Sequence, residues 1–313
     1  MDNAAHNARH ARIVQLVSQL APNDGINHCA LGGLKFMRAS CPSTRHPVLY
    51  EPSISILVQG CKRCYIGERA FFYDAQQFLV MAVPLPFEAE TEASAAEPLL
   101  GLKISIDLQT TAEVAMALDE ANVPIASPSQ GFVSAPMDDK MSGAVLRLLE
   151  AMVSPVEARL LGPGIVREII YYVLTSPLGG ALRSALTHHS QFGKIGKALR
   201  RIHNDFNQPI DVAQLANEAG MSMAAFHAGF KAVTMTSPIQ YLKSTRLHKA
   251  RLLMAQNGLS AAAASSRVGY ESSSQFSREF KRFFGRTPVE EARQMRTILG
   301  QETEPEPAYV TYQ

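Results

Sequence analysis

The spacing of apolar positions along this chain changes twice. Between residues 6 and 20 it is helical, with Ile13, Leu16, Val17 and Leu20 on one face. Pro22-Asn23-Asp24-Gly25 then stops that helix. From Gly32 to about Leu108, short apolar runs (residues 54–58, 70–73 and 77–81) are separated by Gly, Pro and Asp. That texture predicts many short antiparallel strands, hence a sandwich or barrel. After Leu108 the helical period returns over residues 110–121, 140–152 and 156–174, the last broken near Gly162-Pro163-Gly164. Val145, Leu148, Leu149 and Met152 form a stripe that would bury either on the β-domain or in a helical dimer interface. Residues 179–191 read as a linker or short crossover, and residues 192 to about 299 as helix throughout. The fold class expected is therefore α+β, with a β-rich N-terminal half and an all-α C-terminal domain.

Two stretches of the helical region repeat each other. The first runs from Val212 through Gly220, Phe226, Phe230 and Lys231 to Pro238. The second runs from Ala261 through Gly269, Phe276, Phe280 and Lys281 to Pro288. Relative to the glycine, the later landmarks of the second copy come one residue later, so its extra residue falls between Gly269 and Ser272. Each copy reads as helix–turn–helix. Ala216 and Ser265 are small where two helices cross, and Gly220 and Gly269 suit a left-handed helix end. Ser222 and Ser272 stand where an N-cap opens the second helix. The i, i+4 phenylalanines face inward. The opposite face presents Met223, Ala224, His227, Ala228 and Lys231 in one copy, and Ser273, Ser274, Gln275, Ser277, Arg278 and Lys281 in the other. Small, hydroxyl and basic side chains on an exposed helix suit a DNA major groove. Between the copies, residues 238–255 predict a linker helix of about 27 Å. With half a helix width at each end, this approaches the ~34 Å between successive major-groove faces.

Charge separates the regions further. The chain of 313 residues has a net charge of only +2. Residues 191–300 carry 16 Lys and Arg against 7 Asp and Glu, whereas residues 1–190 carry 14 against 18. A basic C-terminal third behind an acidic body is an electrostatic footprint for a polyanion, and it favours DNA binding over a plain helical bundle. The tail, with Glu302, Glu304 and Glu306, has no apolar period and is expected to be disordered. No apolar run is long enough to cross a bilayer. Residues 1–12 lack the apolar core of a secretory signal, and the four cysteines are expected to be reduced thiols. A cytosol is the compartment expected.

The C-terminal region resembles the AraC/XylS family of bacterial transcription regulators. The likeness runs from Ser244-Thr245-Arg246-Leu247-His248-Lys249-Ala250-Arg251 through Arg267-Val268-Gly269-Tyr270-Glu271-Ser272 to Phe284-Gly285-Arg286-Thr287-Pro288. Tyr50-Glu51-Pro52, Val58-Gln59-Gly60-Cys61-Lys62, Tyr73-Asp74 and Val83-Pro84-Leu85-Pro86 are similar to its N-terminal regulatory domain. The resemblance implies a cupin-like β-domain at residues 30–108 and a helical dimerisation region at 109–178, within a sensing domain of residues 1–185. It implies a DNA-binding domain at 192–299, ahead of the tail at 300–313. It also implies double-stranded promoter DNA as a partner, a homodimer, a small-molecule effector such as an aldehyde or other electrophile, and contact with RNA polymerase. Many relatives carry a basic residue where this chain has Ala228, and often His where it has Gly229. The first reader is therefore expected to discriminate sequence less than the second.

Cys61-Lys62-Arg63-Cys64 is the CxxC of the chain. Lys62 and Arg63 are expected to lower a thiol pKa and favour the thiolate. Inert thiols, redox or electrophile sensing, and a metal site completed by Cys29 and Cys41 all remain open. Arg38, Arg63 and Tyr65 would line an effector pocket with the thiols. His46 lacks the His-x-His of metal cupins, and His188-His189 reads as solvated linker. No phosphate loop, nucleophile elbow or acid–base pair is present, so neither catalytic residues nor a cofactor are expected. The alternatives are a cupin-fold or thiol-redox enzyme fused to a DNA-binding module, and an architectural DNA-binding protein without ligand control.

Overall fold

The computed structural model describes residues 2–66, 69–75, 77–124, 132–186 and 191–298. The expected tail (300–313) and His188-His189 lie outside them. The chain divides into two compact units, with the boundary between His248 and Lys249.

The first unit opens with helix α1 (Asp2–Leu20) and strands β1 (Gly25–His28), β2 (Leu34–Ala39), β3 (Ser43–Tyr50), β4 (Ser53–Gln59) and β5 (Cys61–Ile66). Strands β6 (Arg69–Asp74), β7 (Gln77–Met81), β8 (Leu85–Glu92) and β9 (Leu99–Ser105) follow. Helix α2 (Leu108–Glu120), strand β10 (Phe132–Pro136) and helices α3 (Asp139–Met152), α4 (Pro155–Leu160) and α5 (Gly162–Thr175) come next. All pairings are antiparallel. They give two open sheets, one ordered β1-β2-β9-β4-β7-β10 and the other β3-β8-β5-β6. Of the sandwich and barrel alternatives, two open sheets match the sandwich.

Helix α1 lays Ile13, Leu16 and Val17, all at most 1% exposed, onto β2, β4 and β9. Helix α3 packs between α1 and α5, and its stripe of Val145, Leu148, Leu149 and Met152 is buried within the chain. A stripe already buried this way is not free to form a dimer interface. The Gly162-Pro163-Gly164 break falls where expected, but these residues open α5 rather than form a loop, with Pro163 in the first turn.

Three elements depart from the sequence pattern. Strand β1 was hidden because Gly25, with φ of 96°, both ends the turn and starts the strand. Strand β10 is a short edge strand on β7, and its Pro136 sits at its end, where a missing N–H costs little. Residues 179–191 are not a plain linker: Gly179–Leu186 form helix α6, and Gln191–Asp205 form α7. Two adjacent glycines disfavour a helix by propensity. Packing overrides this: Leu182 is buried, and the buried Arg183 pairs with Asp119 and donates to Val123 O at 3.3 Å. A Cβ on Gly179 would lie 2.1 Å from Leu174 O, so close approach explains that glycine.

Candidate functional site

The first unit continues with α8 (Val212–Glu218), α9 (Met223–Thr234) and the start of α10 (Pro238–Gln256). The second holds the rest of α10, then α11 (Ala261–Arg267), α12 (Ser273–Phe284) and α13 (Pro288–Ile298). Helices α8 and α9 end and begin by the same chemistry as α11 and α12. Gly220 (φ 61°) donates to Asn217 O at 2.9 Å, and Met221 donates to Ala216 O at 3.0 Å. Gly269 (φ 84°) donates to Ser266 O and Tyr270 to Ser265 O, both at 3.1 Å. Each pair of bonds is a Schellman cap, which needs a left-handed residue and satisfies the last helical carbonyls. Ser222 Oγ then accepts from Ala225 N at 3.3 Å, and Ser272 Oγ from Gln275 N at 3.2 Å. The extra residue of the second turn is Glu271, between Tyr270 and its N-cap.

The inward faces are aromatic. Phe226 and Phe230 are fully buried with ring centroids 5.6 Å apart, as are Phe276 and Phe280 at 5.4 Å. Ala216 and Ser265 are buried at the helix crossings. The outward faces are those expected: Met223, Ala224, His227, Ala228 and Lys231 are exposed on α9. On α12, Ser273, Ser274, Gln275, Arg278 and Lys281 are exposed, and Ser277 is half-buried.

Several groups were not legible as site residues. Arg282 adds a third exposed cation to α12. Gln275 Nε2 donates to Glu279 Oε1 at 3.2 Å, and Tyr270 Oη donates to Glu279 Oε2 at 2.9 Å, which orients Gln275 on the outward face. On α7, Lys197 Nζ donates to Glu218 O at 2.7 Å and Lys194 Nζ to Gly220 O at 3.4 Å. These ammonium groups sit at the negative end of α8. Tyr241 of α10 is fully buried; its hydroxyl donates to Pro84 O at 2.6 Å and lies 2.7 Å from His203 Nε2. Its ring meets Phe230 edge-on at 5.5 Å, so one side chain touches α7, α9 and the β7–β8 loop.

The thiol region departs from expectation. A strand alternates its side chains, so Cys61 and Cys64 of β5 point to opposite faces. Cys61 shares the outer face of its sheet with Arg63 and Tyr65; Cys64 is buried in the core. Both thiols are shifted up, not down. Burial, then the hydrogen bond to Glu92 at 3.4 Å, raises Cys61. Burial outweighs Lys62 and pushes Cys64 up to about 12. Arg63 still acts to lower Cys61, but less than burial and Glu92 raise it, and its guanidinium is also paired with Glu92 at 3.3 Å and Glu90 at 3.8 Å. Tyr65 Oη donates to Glu90 at 2.8 Å. Arg38 lies elsewhere, with Nη1 3.5 Å from both Ser18 Oγ and Ala21 O at the end of α1. The three expected pocket residues thus do not converge on one site with the thiols. Among the described residues no group of three His, Cys, Asp or Glu side chains is placed to hold a metal ion.

Comparison with known proteins agrees with this layout. Residues 30–181 match the family model of the AraC-type transcriptional regulator N-terminus, and residues 215–294 match a helix-turn-helix domain model. The HTH-type transcriptional regulator AlkR of Acinetobacter baylyi is 33% identical over 95 residues, which are 30% of this chain and 31% of that protein. The HTH-type transcriptional regulator ArgR of Pseudomonas aeruginosa is 26% identical over 157 residues, 49% of this chain and 47% of that protein. The chain thus spans less than half the length of these curated relatives. ToxT of Vibrio cholerae with a bound unsaturated fatty acid superposes with a TM-score of 0.57 at 11% identity, over 83% of this chain and 93% of that one. That likeness is one of fold. The β-rich domain and the paired helix–turn–helix units are the two parts that these models match. The chain belongs to the AraC/XylS family.

Proposed function

We propose that the chain is a sequence-specific DNA-binding regulator in which α9 and α12 each enter a major groove. The observation that carries this reading is the repeated frame: two helix–turn–helix units with the same Schellman cap, the same serine N-cap and the same buried phenylalanine pair. Arg278, Gln275, Ser273, Ser274 and Ser277 are assigned to base edges, and Lys281 and Lys231 to phosphates. Ser222, Met223, Ala224, His227, Ala228 and Ser272 complete the two contact surfaces. Residues 1–185 act as the sensing and dimerising domain, 192–299 bind DNA, and RNA polymerase is met from the assembled complex. With the α3 stripe buried, the homodimer uses exposed apolar side chains nearby, among them Val156 and Leu160. The effector is a small molecule, and sensing of an aldehyde or other electrophile through Cys61 and Cys64 gains no support from their acidity, since both thiols are shifted up.

The test is a filter-binding titration of the purified full chain on a sequence selected from random duplexes. Arg278→Ala is expected to cost about 1–3 kcal/mol on the selected sequence and little on random DNA. Equal losses on both, or none on either, would remove α12 as a reader. Binding is also expected to weaken steeply with salt, because phosphate contacts release counterions.

A further inference from the structure

Helix α9 carries, on the face assigned to DNA, side chains that hydrogen bonding does not account for. Ala224, His227, Ala228 and Lys231 recur at helical spacing and share one stripe, with Met223 beside it. Met223, Ala224 and Ala228 are exposed and apolar, and Lys231 stands at the far end. At the matched places α12 carries Ser273 for Met223, Ser274 for Ala224, Arg278 for Ala228 and Lys281 for Lys231. The lysine is common to both helices. The other three groups, able to bond a base edge on α12, are apolar on α9.

A single exposed apolar side chain needs no explanation; a patterned one does. Among the described residues from 191 to 298 the large apolar side chains left exposed are Met223 at 43%, Ile239 at 46% and Val289 at 59%. Ile239 and Val289 hold the same place in the two units, directly after Pro238 and Pro288, so they belong to the shared frame. Met223 has no such counterpart and belongs to what α9 presents. The core is filled from the opposite side of the helix by Phe226 and Phe230. Ser222 caps the first turn, so Met223 and Ala224 project from a fixed helix start. An alanine reaches no further than its Cβ, so its contact requires the helix to lie deep in a groove. The small side chains at Ala224, Ala225 and Ala228 allow that approach.

We propose that α9 reads thymine by contact: Met223, Ala224 and Ala228 lie against thymine 5-methyl groups in the major groove, with Lys231 on the flanking phosphate. The proposal rests on the reading of α9 as a helix that enters the groove, and it names the base chemistry recognised there. The 5-methyl of thymine is the apolar group that base edges offer in that groove. Guanine presents two acceptors and no methyl, which suits Arg278 and leaves the strip on α9 nothing to cover. Methyl contact is a loose criterion. Thymine on either strand, or at a neighbouring position, meets it, so it favours A·T-rich DNA without fixing one sequence.

The experiment is a fluorescence-anisotropy titration of the full chain on a selected duplex in which uracil replaces thymine. Uracil lacks the methyl and keeps every hydrogen-bonding group. The element lost in Arg278→Ala belongs to α12, and the other to α9. Uracil in the α9 element is expected to weaken binding about fourfold for each methyl covered, and uracil in the α12 element by less than about twofold. At a sensitive thymine, 5-methylcytosine is expected to bind about fourfold more tightly than cytosine. Met223→Ser and Ala228→Ser, both at exposed positions, are each expected to shrink the uracil penalty. The proposal is overturned if the α9 element binds equally with thymine and uracil, if the penalty is confined to the α12 element, if 5-methylcytosine and cytosine bind alike, or if neither serine variant shrinks the penalty. Circular dichroism checks that the variants fold; if one does not, the uracil and 5-methylcytosine duplexes decide with the unaltered chain. A selection that recovers no sequence would sink the regulator reading itself. A recovered sequence indifferent to uracil would sink this proposal alone.

Discussion

The two helix–turn–helix units of this chain share a frame and differ in what they present. Both turns are closed by a left-handed glycine and opened by a serine cap, over a buried phenylalanine pair. On the outward face α9 offers Ala224 and Ala228 where α12 offers Ser274 and Arg278. The frame is set by backbone hydrogen bonding and core packing, which tolerate little change. Outward side chains leave those terms almost untouched, so they are free to diverge. Alanine cannot make a bidentate contact to a base, so the first unit is expected to contribute affinity and placement and the second to contribute selectivity.

The comparison can be broken at its foundation by truncating equivalent core rings. Phe230→Ala and Phe280→Ala should each destabilise by about 3–5 kcal/mol in chemical denaturation. A large loss at one position and almost none at the other would show that the two frames are not equivalent. The reading difference is sharpened by exchanging side chains across the units. Ala228→Arg should tighten specific binding by about 1–3 kcal/mol, the amount that Arg278→Ala removes. If Ala228→Arg tightens binding to random DNA equally, the first helix touches only phosphate. Removing either cap, by Ser222→Ala or Ser272→Ala, should cost about 1 kcal/mol of stability. A difference between the two would locate stability the shared geometry does not explain.

The smallest effect concerns the helices that follow. In the second unit Glu290 accepts from Thr287 N at 2.8 Å, and this bond holds its carboxyl below the usual range. At the matching place the first unit has Gln240, which cannot titrate. A depressed folded pKa stabilises above the unfolded value and loses that contribution as pH falls through the folded one. Melting curves taken downward from about pH 5 should therefore show a small loss that Glu290→Gln abolishes. An unchanged acid profile in Glu290→Gln would mean that the cap contributes nothing.

Much of this was legible in the sequence because its signals are local. Gly220, Gly269, Ser222 and Ser272 each act within one turn of chain, and the paired phenylalanines announce themselves by i, i+4 spacing. The acidity of the thiols was misread for the converse reason. Lys62 and Arg63 adjoin the cysteines in sequence, but strand alternation separates Cys61 from Cys64, and Arg63 is taken by Glu90 and Glu92 from β8. Such partners are visible only once strands are in register. Helix α6 was missed because two glycines outweighed, in any local reading, the burial of Leu182 and Arg183.

The most direct test of the central claim is selection of bound sequences from random duplex DNA by the purified full chain. The account predicts a motif with two elements about one helical turn apart, one sharply defined and lost in Arg278→Ala, the other degenerate and sharpened in Ala228→Arg. Two equally sharp elements, or a sharp element that survives Arg278→Ala, would contradict it.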